Sequence, residues 1–165
     1  MFALLLLLPF AAAAQSGDDG EEDAGSRWVE EEVKLPPFPK PGNLIKFTPS
    51  AAASNEFFID PDSLAVGKDG VVRYTLIVKG AGGAENVSYE GIRCATREQK
   101  YYAFGRRDGT WVNARSAQWK RIEYREVNRQ HAVLYDDYLC RDRRTPRTVK
   151  EAMQQFKYGG FEPIR

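Results

Sequence analysis

The sequence predicts an α+β domain: an antiparallel sheet of about five or six strands, C-terminal helices packed on one face, and one disulfide. Three observations predict it. From Asn43 to about Val112 the apolar residues recur mostly at alternate positions, the period of half-buried strands. After Arg129 they recur at helical spacing instead. The two cysteines fall one in each half, Cys94 among the strands and Cys140 at the end of the first helical stripe. Strands first and helices last is the order of a segregated α+β architecture.

Taken in order, "NLIKFTP" (Asn43 to Pro49) alternates as a short strand does. "EFFIDPDSL" gives a second strand, expected to stop at Asp60-Pro61, because proline biases the preceding residue away from helix and Asp-Pro starts turns. Asp62 or Ser63 is placed to cap a single helical turn there. "LAVGKDGVVRYTLIVKG" reads as a hairpin whose turn is Lys68-Asp69-Gly70, with glycine at the φ > 0 position. Val72, Tyr74, Leu76 and Val78 then share one face, and Val71, Arg73, Thr75 and Lys79 mostly occupy the other. "GAGGAEN" is a flexible connection. It is not a phosphate-binding P-loop, since no Lys-Ser or Lys-Thr pair follows and a strand comes next.

In "VSYEGIRC" the apolar parity changes between Val87/Tyr89 and Ile92/Cys94, which predicts a bulge at Gly91 that restores the inward face. Lys100 to Gly105 alternates, with Tyr102 and Phe104 expected on one face and Tyr101 and Ala103 on the other. Asp108-Gly109 makes a turn before "TWV". His131, Leu134, Tyr135, Tyr138 and Leu139 form one helical stripe ending at Cys140. "TPRTVKEAMQQFKYGG" predicts a second helix, with Thr148 and Glu151 as a capping box and Gly159-Gly160 as its stop.

The N-terminus divides into three pieces ahead of a single domain at 43–165. Residues 1–14, "MFALLLLLPFAAAA", read as a secretory signal peptide cleaved after about Ala14, where Ala12-Ala13-Ala14 satisfies an A-x-A rule. The run is shorter than the roughly 20 residues a membrane-spanning helix needs. No later segment is long and apolar enough to be an anchor. Residues 15–27 are acidic, Gly-rich and without apolar periodicity, a composition that stays disordered. Residues 28–42 contain Pro36, Pro37, Pro39 and Pro41 and read as an extended arm, with Trp28, Val33, Leu35 and Phe38 available to tack it onto the domain. Two cysteines in an exported chain read as a disulfide, Cys94–Cys140.

Charge is segregated. Asp18 to Glu32 holds eight acidic residues and one basic, whereas Arg93 to Arg165 holds seventeen basic and nine acidic. The basic half offers Arg93, Arg97, Arg106 and Arg107, then Arg115, Lys120 and Arg121, as a candidate interaction surface for an anionic polymer or an envelope protein. Aromatic residues lie among them, as in single-strand binders. "KYYAFGRR" does not match the RNP1 pattern, however, and export removes the chain from nucleic acid.

No catalytic, cofactor or metal constellation emerges. His131 is the only histidine and no G-x-S-x-G serine accompanies it, so a packed or hydrogen-bonded role is expected for it. One histidine and two paired cysteines cannot fill four zinc positions. "IDPDS" lacks the calcium-loop pattern, and a turn with an Asx hydrogen bond is the simpler account. Asp136 and Asp137 are adjacent on a helix and diverge. Cys94 and Cys140 lack a C-x-x-C arrangement for redox work.

"WVEEEVKLPPFP", "FFIDPDSLAVGKDGVVRYTLIVKG", "YEGIRC", a DGTW turn and "YLC", in that order from Trp28 to Cys140, resemble the cryptic neisserial protein family. The resemblance implies a small proteobacterial protein described as periplasmic, with no established activity. Members of that family are suspected lipoproteins, and this chain departs from them in having no lipobox cysteine. A more distant likeness is to surface-adhesin E-like proteins, which share the "IDP-S" strand end, a central cysteine and a late one. No catalytic residues carry over from either. The expected function is therefore that of a periplasmic, non-catalytic structural or interaction module. The alternative is a surface-exposed, adhesin-like binder of anionic or host-derived polymers.

Overall fold

A computed structural model describes residues 27–124 and 129–160. The expected signal peptide at 1–14 and all but the last residue of the acidic segment lie outside the described residues. Seven antiparallel strands form one sheet: β1 Ile45–Phe47, β2 Glu56–Val66, β3 Val71–Lys79, β4 Glu85–Arg93, β5 Glu98–Gly105, β6 Trp111–Asn113 and β7 Lys120–Arg121. The first five follow one another as a meander. The short β6 and β7 both pair with the outer edge of β5, at its C-terminal and N-terminal ends. Helix α1 (Arg129–Val133) runs into a π-helical turn, Leu134–Leu139, and α2 spans Val149–Lys157. The α+β class, the helices and the single disulfide are as the sequence predicts, with one or two more strands than expected.

Alternation places Val72, Tyr74 and Leu76 on the helix side with Ile59, Ile92 and Cys94, where Leu134, Tyr135, Tyr138 and Leu139 meet them. The predicted stripe thus faces the sheet, and its last turn is wider than an α-helix. The Cys140 amide bonds Tyr135 O, five residues back, at 2.9 Å. The sulfurs of Cys94 and Cys140 are joined there, with Cα atoms 5.3 Å apart. On α2, Phe156 stacks on Tyr138 at 4.8 Å and meets Phe47 of β1 edge-on. Thr148 caps α2 by accepting the Glu151 amide at 3.1 Å. The carboxylate of Glu151 reaches the amide of Arg147 rather than that of Thr148, one residue short of a full capping box.

Four local expectations are corrected. Strand β2 does not stop at Pro61 but runs on to Val66. Its register slips between Asp60 and Ala65, which spares Pro61 from having to donate to the ladder. Ser63 caps no helical turn. Its hydroxyl donates to Asp60 O at 2.7 Å and accepts the Thr75 amide at 2.8 Å, replacing lost strand pairing. The Asx bond is present, from the Asp62 amide to Asp60 Oδ1 at 3.1 Å. Third, there is no bulge at Gly91: β4 pairs with β3 without interruption through Arg73↔Gly91. The extra residue lies opposite, on β5, where Tyr89 pairs with Ala103 and Glu90 with Tyr101, leaving Tyr102 between them. Fourth, that bulge overturns the expected facing of β5. Tyr102 and Ala103 join Tyr89 on the far face, whereas Tyr101 and Phe104 stack at 5.3 Å.

The parity change in "VSYEGIRC" has a different cause from a register shift. Val87 and Tyr89 face one layer while Ile92 and Cys94 face another, because both faces of the sheet are covered. The second cover is residues 28–39. Trp28 Nε1 donates to Asp69 O at 2.7 Å, and Trp111 Nε1 to Pro36 O at 2.9 Å. Val33 packs on the Tyr89–Tyr102 cluster. Phe38 lies over Gly105, where a Cβ would stand 2.8 Å from its ring. Arg73, on the face away from the helices, is only 5% exposed and bonds Asp69 twice.

Candidate functional site

The helices cover only part of their face of the sheet. Beyond α1 a groove of about 520 Å³ opens over β3, β4 and β5. Pairing register arranges the strands beneath it in rows, with Tyr74 buried under the lining. Tyr74, Glu90 and Tyr101 lie side by side across three strands, and Leu76, Ser88 and Phe104 form the next row. Gln130 of α1, Asn55 and Phe57 supply the walls. Phe104 is 42% exposed and stacked on Tyr101, so it presents a free aromatic face to this groove. A second, smaller hollow of about 280 Å³ shares Asn55, Phe57 and Gln130 and extends the groove along the β1–β2 loop.

At the inner end stands Glu90, with no exposed surface. A buried carboxylate is costly unless hydrogen-bonded and compensated. Here Ser88 Oγ donates to Oε1 at 2.5 Å, Tyr74 Oη donates to Oε2 at 3.2 Å, and His131 Nε2 lies 2.8 Å from Oε2. The ring of Tyr101 meets His131 edge-on at 5.7 Å. Burial, and secondarily the Glu90 charge, push the Tyr74 and Tyr101 phenols well above the usual range, so both remain neutral donors. The lone histidine is therefore a hydrogen-bonding residue fixed by a carboxylate. Glu90, Tyr74, Ser88 and Tyr101 were not singled out from the sequence. The available signal was Ser88 and Glu90 occupying the same parity as the core residues Ile92 and Cys94.

Of the cations singled out from the sequence, Arg97 and Arg121 line one hollow beside the disulfide. Arg93 lies over the Trp28 ring at 3.8 Å. Arg97 is bidentate to Asp136, at 2.7 and 2.9 Å, and also donates to Ile122 O. Hydrogen bonding to Asp136 raises the Arg97 guanidinium above its ordinary value despite partial burial. Arg106 and Arg107 are exposed in the β5–β6 turn, Arg115 is exposed after β6, and Lys120 and Arg121 are exposed on β7. Among the described residues, no three His, Cys, Asp or Glu side chains are grouped to hold a metal ion, and no helix is long and apolar enough to cross a membrane.

No curated protein and no solved structure matches this chain. The sequence pattern of the CNP1-like family, whose function is uncharacterised, matches residues 23–157. That span takes in the covering arm, all seven strands, both cysteines and α2. The chain belongs to the CNP1-like family.

Proposed function

We propose that the protein is exported to the bacterial periplasm and works there as a non-catalytic interaction module, with the groove over β3–β5 as its binding surface. The observation that carries this reading is the state of Glu90. It sits at the inner end of an open groove, wholly buried, with three intramolecular partners already on its carboxylate. A carboxylate so occupied shapes and polarises a surface rather than abstracting protons. The exposed Phe104 ring and the amides of Asn55 and Gln130 would then meet a partner presenting both apolar and hydrogen-bonding groups. Support for export comes from the leucine-rich stretch at 1–14, the Cys94–Cys140 bridge and the resemblance to cryptic neisserial proteins. The alternative, a surface-exposed binder of anionic or host-derived polymers, draws on the exposed Arg106, Arg107, Arg115, Lys120 and Arg121.

The test places a photo-crosslinking residue at position 104, and as control at exposed Val29 on the arm over the opposite face of the sheet, in the full-length chain expressed in a proteobacterial host. Periplasmic recovery of a chain cleaved near Ala14, with crosslinks from position 104 and not from 29, is the expected result. Cytoplasmic retention refutes export, and equal crosslinking at both positions refutes the groove. Protease treatment of intact cells decides between periplasm and surface.

A further inference from the structure

A second hollow, of about 310 Å³, lies beside the disulfide and shares no residue with the groove. Thr96 and Arg97 reach it from the β4–β5 turn, Arg121 from β7, and Asp142 and Arg143 from the segment after Cys140. Three observations converge on it. Among the described residues, only Arg97 (φ 57°), Asp142 (φ 52°) and Arg143 (φ 61°) hold a left-handed backbone without being glycine, and all three line this one hollow. Side chains disfavour that conformation, and such residues concentrate at binding sites. The Thr96 hydroxyl is buried there without a hydrogen-bond partner, a cost that a ligand acceptor would remove.

The third observation is the charge left over. Asp136 is neutralised by Arg97, and Asp142 is paired with Arg144 at 3.3 Å. Arg121 makes no ion pair among the described residues. Arg143 is aimed by one bond to Ala95 O at 2.7 Å, which leaves its other donors unspent. Two guanidinium groups and a hydroxyl donor suit an oxyanion with several acceptor oxygens. The space exceeds that of a bare anion. We infer that this hollow binds a phosphate monoester, with Arg121 and Arg143 on its charged oxygens and the Thr96 hydroxyl donating to another. The Cys94–Cys140 bridge fixes the loops that carry Thr96 and Arg143 relative to each other.

The test is calorimetric titration of the oxidised protein with inorganic phosphate at low ionic strength. One-to-one binding is expected, weakened roughly tenfold by Arg121→Ala and by Arg143→Ala and several-fold by Thr96→Val, as for lost charged and neutral hydrogen bonds. A control variant, Lys150→Ala/Lys157→Ala, removes two exposed cations of α2 outside the hollow and should bind unchanged. Near-UV circular dichroism confirms that each variant stays folded. No saturable binding, or losses in the control equal to those in the pocket variants, overturns the inference. Glucose 1-phosphate and vesicles of phosphatidic acid in phosphatidylcholine then separate a soluble ester from a lipid headgroup. None of these results depends on the groove, so a failed groove leaves this inference standing and the reverse.

Discussion

Removing the Glu30 carboxylate should detach the N-terminal arm while leaving the sheet folded. Glu30 accepts from Lys100 Nζ at 2.7 Å, Tyr102 Oη at 2.8 Å and Trp119 Nε1 at 3.3 Å, and its side chain is 21% exposed. A hydrogen bond to a charged group contributes about 1.5–3 kcal/mol, and bonds that share one acceptor do not add fully. In Glu30→Ala the Tyr102 hydroxyl loses this acceptor, while Lys100 keeps its position over the Tyr102 and Trp119 rings. The expected loss of docking is therefore about 2–4 kcal/mol. The protein supplies its own reporter. All three tryptophans sit where the arm meets the sheet: Trp28 is on the arm, Trp111 bonds Pro36 O, and Trp119 packs edge-on against Trp28 at 5.9 Å. In urea, tryptophan emission of the variant should shift to the red well before far-UV circular dichroism reports loss of the sheet. Glu30→Gln, which keeps an acceptor but no charge, should fall between. Coincident transitions within about 0.5 kcal/mol of the parent would refute the reasoning and make Glu30 an ordinary solvated surface residue.

Acid should release the same arm. Burial alone would raise the Glu30 and Asp69 carboxyls, but hydrogen bonds from Lys100 and Tyr102, and from Arg73, outweigh it and hold both below their ordinary values of 4.5 and 3.8. Their stabilisation is complete above those values and is lost as pH falls through the lower folded ones, so emission should shift red below about pH 4. Replacing both cysteines by alanine should cost about 4 kcal/mol, the loop-closure value for the 46-residue separation, read as a lower urea midpoint. Glu90→Ala or His131→Ala alone should cost about 3–5 kcal/mol, whereas an apolar double replacement should recover most of it; a double variant as unstable as either single one contradicts the compensated-pair reading. Gly91→Ala puts a Cβ 2.7 Å from the Tyr102 hydroxyl and 3.0 Å from Val71, for a cost of about 1–3 kcal/mol that Tyr102→Phe should partly relieve on thermal melting.

Features set by a few neighbouring residues were legible in the chain. The Lys68-Asp69-Gly70 turn has Gly70 at φ 77°, and Thr148 caps α2. The stripe from His131 to Leu139 faces the core because helical spacing leaves it no other arrangement. The candidate groove was less legible. Glu90 reads as an ordinary charged strand residue until pairing register places it between Tyr74 and Tyr101 and packing sets His131 against it.

By itself, then, the sequence determined the order of strands and helices, the turns and caps, and the two cysteines, because local sterics and hydrophobic period decide these within a few residues. Only the tertiary structure decided what covers each face. An alternating strand looks alike to the chain whether its second face meets water or a folded-back arm. Trp28, Glu30 and Phe38 convert the outward face of β3–β5 into a second buried layer, with Arg73 inside it. The same holds for the Tyr102 bulge, since the fit of its ring over Gly91 depends on two strands at once. Contacts between residues some seventy positions apart leave no periodic trace in either segment, so they emerge only when the chain is packed.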